Sequence, residues 1–290
     1  MKRPTGHSHT NQKKTPISQY TMCDLLPDSL MSSPAVSVRM NDPVAEATNL
    51  LSHNLETFTD SLVVVHDDKP VGLVGGGDVL DGLLQTPTGA FFEKTRIKEI
   101  MKKNLVISEK DATLGELLNQ WMKTKRAFAI MPNQYSGYSA ISARKLLEIG
   151  MSCKTKLEIK DISKKKIFTF RKDQTVKEAI STMFKNRTRK LILEETSQFI
   201  SDRIIIQKIS QDLNCLHGVD DFLEMKCSEF RLDKAKEASG KVLLEEASKM
   251  LYEMQSPYII HEKGVLTPWD IIRSLGSASL TEYVWNHDKI

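Results

Sequence analysis

The sequence predicts a mixed α/β (α+β) fold in which one β-α-β-β-α unit is used four times, and three observations predict it. VSVRMNDPV (36–44), VISEKDATL (106–114) and FTFRKDQTV (168–176) each pair an alternating apolar stretch with a polar turn, placing Asn41, Asp111 and Asp173 at the same point. Such alternation marks a strand with one buried face. A helix opening follows each stretch, and two apolar runs separated by a turn follow each helix. Finally, Asp78, Lys145, Ile204 and Asp270 occupy the same place in a last short helix, 67, 59 and 66 residues apart. A period of this size marks a repeat architecture, and its long-short-long rhythm groups the units into two pairs.

Along the chain, MKRPTGHSHTNQKKTP contains almost no large apolar residue, and residues 1–24 are expected to be a disordered basic tail. Lys2, Arg3, Lys13 and Lys14 precede the first acid, Asp24, so the part of the tail before Asp24 holds the whole net charge of +4 and the remainder of the chain is neutral. Units one and two are expected within 25–150, and units three and four within 151–277. Thr113 with Glu116, and Thr175 with Glu178, are Thr-x-x-Glu capping boxes that satisfy the unpaired amides of a first helical turn. Unit one opens its helix with Asp42 and Pro43 instead. Stripes at helical spacing follow: Val44, Ala47, Leu50, Leu51; Leu114, Leu117, Leu118, Trp121; Val176, Ala179, Ile180, Met183. The hairpin runs are SLVVV with VGLV, AFAIM with YSAIS, LIL with QFIS, and PYII with GVLT. Short helices close the units at DVLDGLL, RKLLEIG, RIIIQKIS and WDIIRSL. The end, 278–290, includes Tyr283 and Trp285, a candidate contact with a second copy or with the chain's own surface.

Composition narrows the function classes. With 290 residues, 40% apolar and 27% charged, the chain reads as a soluble two-module protein. No apolar run reaches the ~18 residues of a membrane span, and the start lacks the apolar core of a signal peptide, so a cytoplasmic protein with no membrane partner is expected. The four cysteines form no C-x-x-C pair, and Cys215, His217 and Cys227 match no zinc spacing, so no metal is expected. Gly75-Gly76-Gly77 lies at a strand-to-helix junction without the Lys-Ser/Thr of a phosphate loop. Neither a nucleophile elbow nor a metal-binding His-Glu motif occurs, so no enzyme, catalytic residue or cofactor is expected.

GVLTPWDII (264–272) ends in Gly-apolar-apolar-Thr-x-x-Asp, and GLVGGGDVL (72–80) repeats that pattern with Gly75 in place of the threonine. These segments resemble the signature of cystathionine-β-synthase-type (CBS) domains, and the resemblance covers roughly 26–275. It implies that paired units form two Bateman modules, that modules associate as a homodimer, and that the clefts bind an adenosyl ligand to regulate another protein. AMP, ADP, ATP and S-adenosylmethionine are the ligand candidates. By the same resemblance Asp270 would accept from the ribose hydroxyls and Thr267 would lie near the phosphates, chiefly in the cleft between units three and four. A carboxylate can accept from a vicinal diol, and a helix N-terminus favours an anion. Thr267 and Asp270 equally make a good helix cap, with no ligand required. A second site would set Asp78 across from Ser142 or Arg144. Unit two keeps Ser142 but has Lys145 for the acid; unit three keeps Ser201 but has Ile204, which cannot bind a ribose in that way.

Residues 160–190 hold eleven Lys or Arg against three acids. Arg187 or Arg189 could reach the phosphates of a nucleotide held by Asp270, the patch could face nucleic acid, or it could be a solvated surface. The alternatives to a nucleotide sensor are therefore a ligand-free interaction module and a nucleic-acid-binding regulator.

Overall fold

Each sequence signal becomes an element in the expected order. The computed structural model describes residues 15–26, 33–53, 61–133, 137–163, 165–212, 219–262 and 264–277. A short helix, α1 (Met22–Leu25), precedes unit one, which is β1 (Ser37–Arg39), α2 (Val44–His53), β2 (Ser61–His66), β3 (Lys69–Gly75) and α3 (Gly76–Gln85). Helices α4 (Ala90–Lys94) and α5 (Ile97–Ile100) lead to unit two: β4 (Val106–Ile107), α6 (Leu114–Thr124), β5 (Phe128–Asn133), β6 (Gly137–Ser142) and α7 (Leu147–Ser152). After α8 (Ile159–Ile162) and β7 (Lys165–Lys166), unit three is β8 (Thr169–Phe170), α9 (Val176–Lys185), β9 (Lys190–Leu193), β10 (Gln198–Ser201) and α10 (Asp202–Asp212). Helix α11 (Val219–Glu224) and β11 (Asp233–Lys234) precede unit four: β12 (Lys236–Glu237), α12 (Leu244–Glu253), β13 (Ile259–His261), β14 (Gly264–Leu266) and α13 (Pro268–Leu275).

In every unit the first strand pairs parallel with the second, and the second and third form an antiparallel hairpin. The two threonine caps form as expected: the Thr113 N–H donates to Glu116 Oε2 at 2.8 Å and the Thr175 N–H to Glu178 Oε2 at 2.7 Å.

The units of a pair exchange their edges. β7, which precedes unit three, pairs with β14 of unit four, and β11, which follows unit three, pairs with β10. The first pair repeats this with single bridges, Pro34 to Ser139 and Lys102 to Leu73. The short leading turns are exchanged too. Bridges Thr21–Thr113, Arg96–Pro43, Glu158–Leu243 and Lys226–Thr175 dock the turn before each unit onto the helix of its partner.

That exchange corrects the expected extent of the tail. Ile17 and Met22 are 0% exposed and pack with Leu25 in the core of unit two, so the segment from 15 onward is structured. Three apolar side chains on a short turn are enough to dock it against α6. Residues 1–14 and 278–290 lie outside the described residues.

Four seams close the units into a ring. Within a pair, sheets face each other: Val63 and Leu73 of unit one meet Phe128 and Ile130 of unit two, and Phe199 of unit three packs against Tyr258 of unit four at 5.3 Å between centroids, the rings tilted by 60°. Between pairs, helices meet, α10 on α2 and α3, and α7 on α12 and α13. The two largest apolar clusters follow these helical seams, one joining units one and three and the other units two and four. Close approach requires glycine at Gly150, where an added Cβ would stand 3.0 Å from Ser248 Cβ. Within the Gly75–Gly77 run, Gly76 has a related explanation: a Cβ there would meet Ile206 at 3.3 Å, so the glycine lets α10 approach α3, whereas a Cβ on Gly77 would meet nothing within 4 Å. No helix among the described residues is long and apolar enough to cross a membrane.

Candidate functional site

The N-termini of the closing helices were the expected ligand-binding points, and each has its expected side chains at work within the fold. Asp270 is 0% exposed. Its Oδ2 accepts from the Thr267 N–H at 2.9 Å and from the Thr267 hydroxyl at 2.7 Å. Burial, then the charge of Asp270, pushes the Tyr258 hydroxyl up to about 12. The carboxylate therefore faces inward beside Tyr258 as a helix cap, behind the half-buried Thr267, Pro268 and Trp269 of the first turn.

Asp78 is likewise engaged. Its oxygens accept from Arg126 Nη2 at 2.9 and 2.8 Å, and Oδ2 also accepts from the Gly75 N–H at 2.8 Å. The expected partners Ser142 and Arg144 hold other groups. Ser142 Oγ accepts from the Lys145 N–H at 3.2 Å. Arg144 is 5% exposed and reaches unit four, donating to the carbonyls of Gln255 at 2.8 Å and Tyr252 at 2.9 Å. Ser201 Oγ accepts from the Ile204 N–H at 3.2 Å. Arg126, which sequence reasoning missed, lies two residues before β5 and meets a partner 48 positions away; nothing local signals it.

The basic run of 160–190 disperses over several elements. Lys160 pairs with Glu158, Arg171 with Asp173 at 3.1 Å, and Arg189 with Asp202 at 2.6 Å. Lys190 Nζ donates to the Pro257 carbonyl at 2.6 Å and lies 5.1 and 4.9 Å from the ring centroids of Phe199 and Tyr258. Arg187 is exposed at φ 50°, its N–H donating to the Phe184 carbonyl at 3.1 Å as α9 ends. Lys164, Cys215 and His217 lie outside the described residues.

What the second pair does offer is a cleft of about 480 Å³ between units three and four. One wall is α10, with Arg203, Ile204, Gln207 and Lys208; the others are the segment Glu229–Asp233, with Arg231, and Gln255–Ser256 of unit four. Small-molecule sites span roughly 300–1,000 Å³. Arg203 Nη1 rests on the Gln255 carbonyl at 3.3 Å, and Lys208 pairs with Asp212 at 2.7 Å. Three cations against Glu229 and Asp233, over an apolar patch at Ile204, suit an anion with an apolar or aromatic part.

These features define a class first: an α/β repeat protein whose units pair through exchanged edges. Residues 28–85 match the family model described as CBS domain. A protein from Methanocaldococcus jannaschii, regarded as an archaeal homologue of g-AMPK, superposes over 86% of this chain and 99% of its own, with TM-score 0.71 and 16% identity. An uncharacterized conserved protein from Pyrococcus horikoshii covers 85% of this chain and 98% of its own at TM-score 0.50 and 12% identity. A CBS-domain containing protein from Agrobacterium tumefaciens covers 45% and 92% at TM-score 0.37 and 18% identity. No curated protein sequence matches the chain. In sequence, residues 28–85 are similar to a CBS domain; in fold, most of the chain is similar to the M. jannaschii protein.

Proposed function

We propose that the protein is a non-catalytic sensor that binds an adenine nucleotide or a related adenosyl ligand in the cleft between units three and four. The observation that carries this reading is the 480 Å³ cleft walled by Arg203, Lys208 and Arg231. Phosphate groups would draw Arg203 and Arg231, which bind oxyanions in a fork, while Ile204 would back the base in place of an acid on the ribose. The M. jannaschii relative, regarded as a g-AMPK homologue, supports an adenine nucleotide as the ligand. Thr267 and Asp270 then serve the reading indirectly, by holding the start of α13. Regulation of a partner protein and self-association into a homodimer belong to the same proposal, the latter checked by light scattering with and without ligand.

Titration calorimetry with AMP, ADP, ATP and S-adenosylmethionine tests it. At least one should bind with a stoichiometry of one per chain, and Arg203→Ala with Arg231→Ala should weaken it tenfold or more, since charge-assisted contacts are worth about 1.5–3 kcal/mol each. Saturating ligand at 100 times Kd should add about 2.7 kcal/mol to stability. Silence from all four compounds, or binding that survives the double substitution, would reject this cleft; silence favours the ligand-free interaction module.

A further inference from the structure

The wall of the cleft is also the point where the other module takes hold of unit four. Helix α12 ends at Glu253, and the last carbonyls of a helix lack partners within it. They also form the negative end of its dipole. Arg144, from unit two, fills that role: its guanidinium donates to Tyr252 O at 2.9 Å and Gln255 O at 2.8 Å while only 5% exposed. A buried cation depends on such acceptors staying in place. Tyr252 adds a second tie, its hydroxyl donating to Glu148 Oε1 of α7 at 3.3 Å.

The Gln255 carbonyl is shared. Arg203 approaches it from α10 at 3.3 Å, a longer contact than the 2.8 Å from Arg144. Arg203 and Gln255 both line the cleft. A phosphate is a stronger acceptor for a guanidinium than a carbonyl is, so a phosphorylated ligand would draw Arg203 away and leave Gln255 to Arg144.

We infer that the Gln255 carbonyl transmits occupancy of the cleft to the first module, with Arg144 as the receiver and tighter clamping of α7 onto α12 as the response. This rests on the proposed cleft and adds its mode of regulation. Coupling of this kind is reciprocal.

Hydrogen exchange read by mass spectrometry, on the full chain with and without saturating ATP, separates the two ideas. In the wild type, ATP should slow exchange in 203–211 and 255–258, and also slow 143–152 of the first module, the latter about fivefold for a coupling at the low end of the usual range. Arg203→Met without ATP should already slow 143–152, because Gln255 is no longer shared; this variant changes a partly exposed side chain and leaves the core untouched. In Arg144→Met, ATP should slow only the cleft segments. Cleft protection with 143–152 unchanged in the wild type overturns the coupling while the cleft reading stands. An Arg203→Met protein without added protection at 143–152 overturns it as well. No protection by ATP anywhere overturns the cleft reading for this nucleotide and the coupling with it.

Discussion

The two modules share a topology and treat the same cleft in opposite ways. In unit two, Phe128 stands opposite Ser142 in the hairpin, and continuing the unit-four register sets Tyr258 opposite Thr267. Arg126 and Ser256 are thus equivalent, each two residues before that point, just as Asp78 and Ile204 are equivalent on the helices they face. The first module has an acid and an arginine there, joined at 2.8 Å; the second has isoleucine and serine, and an open space of about 480 Å³. An aspartate at the helix start therefore does not by itself make a site. What stands on the opposite wall decides whether that acid faces a ligand or a neighbouring side chain.

The sharpest way to break the comparison is to remove one member of the sealed pair. Asp78 is 6% exposed and Arg126 22%. Losing one partner of a buried ion pair costs about 3–5 kcal/mol, because the other is left without compensation. Asp78→Ala should show that loss in urea unfolding. Asp78→Ile with Arg126→Ser, which copies the second module, should recover most of it, since an apolar replacement of a buried pair is often neutral. It should also create a second nucleotide site by calorimetry. A double variant as unstable as Asp78→Ala would show that the pair does more than seal a cleft.

The helical seams allow a smaller test. Gly150 faces Ser248 Cβ at 3.0 Å and Ile271 at 3.2 Å from an added Cβ, across the seam of units two and four. Gly76, on the seam of units one and three, faces the end of Ile206 at 3.3 Å. Overpacking costs about 1–3 kcal/mol where neighbours cannot yield. Gly150→Ala should lose stability in that range and Gly76→Ala clearly less, because the Ile206 side chain can turn aside. Equal losses would mean the two seams are equally rigid.

The elements were legible where a signal is local and long enough. Capping boxes and stripes of ten residues placed α6 and α9, and alternation placed the hairpins. The leading turns were not legible by periodicity, since Met22–Leu25, Ile97–Ile100 and Ile159–Ile162 span one helical turn each. A recurrence was present: Thr21, Arg96, Glu158 and Lys226 are each followed three residues on by an acid, Asp24, Glu99, Asp161 or Glu229, that accepts from the first residue's N–H. Around the cleft, only the helix openings were legible. Its lining was not, because Arg203, Arg231 and Gln255 come together only through the exchange of edges, and Arg126 meets Asp78 only through the pairing of two sheets.

The smallest expected effect comes from one core position that the four units do not treat alike. Three residues beyond the paired positions Ser61, Phe128, Lys190 and Tyr258 stand Val64, Met131, Leu193 and His261, with exposures of 0, 2, 4 and 6%. The fourth unit has put an imidazole where the others have an apolar side chain. Neither ring nitrogen of His261 has a hydrogen-bond partner among the described residues. Burial holds its pKa below the usual histidine value, with the charge of Glu262 opposing. The unfolded chain therefore binds the proton more readily than the folded one, so the neutral ring's contribution is intact above the ordinary histidine range, near pH 6.5, and is lost as pH falls below it. His261→Leu should remove that slope and add about 1 kcal/mol at mildly acid pH, the scale of an unsatisfied buried polar group. Urea unfolding from pH 5 to 8 reads the result: wild-type stability should decline toward pH 5 more steeply than that of His261→Leu. Parallel curves would mean that the imidazole finds water or a partner on protonation, and that the fourth unit tolerates its polar core residue at no cost in acid.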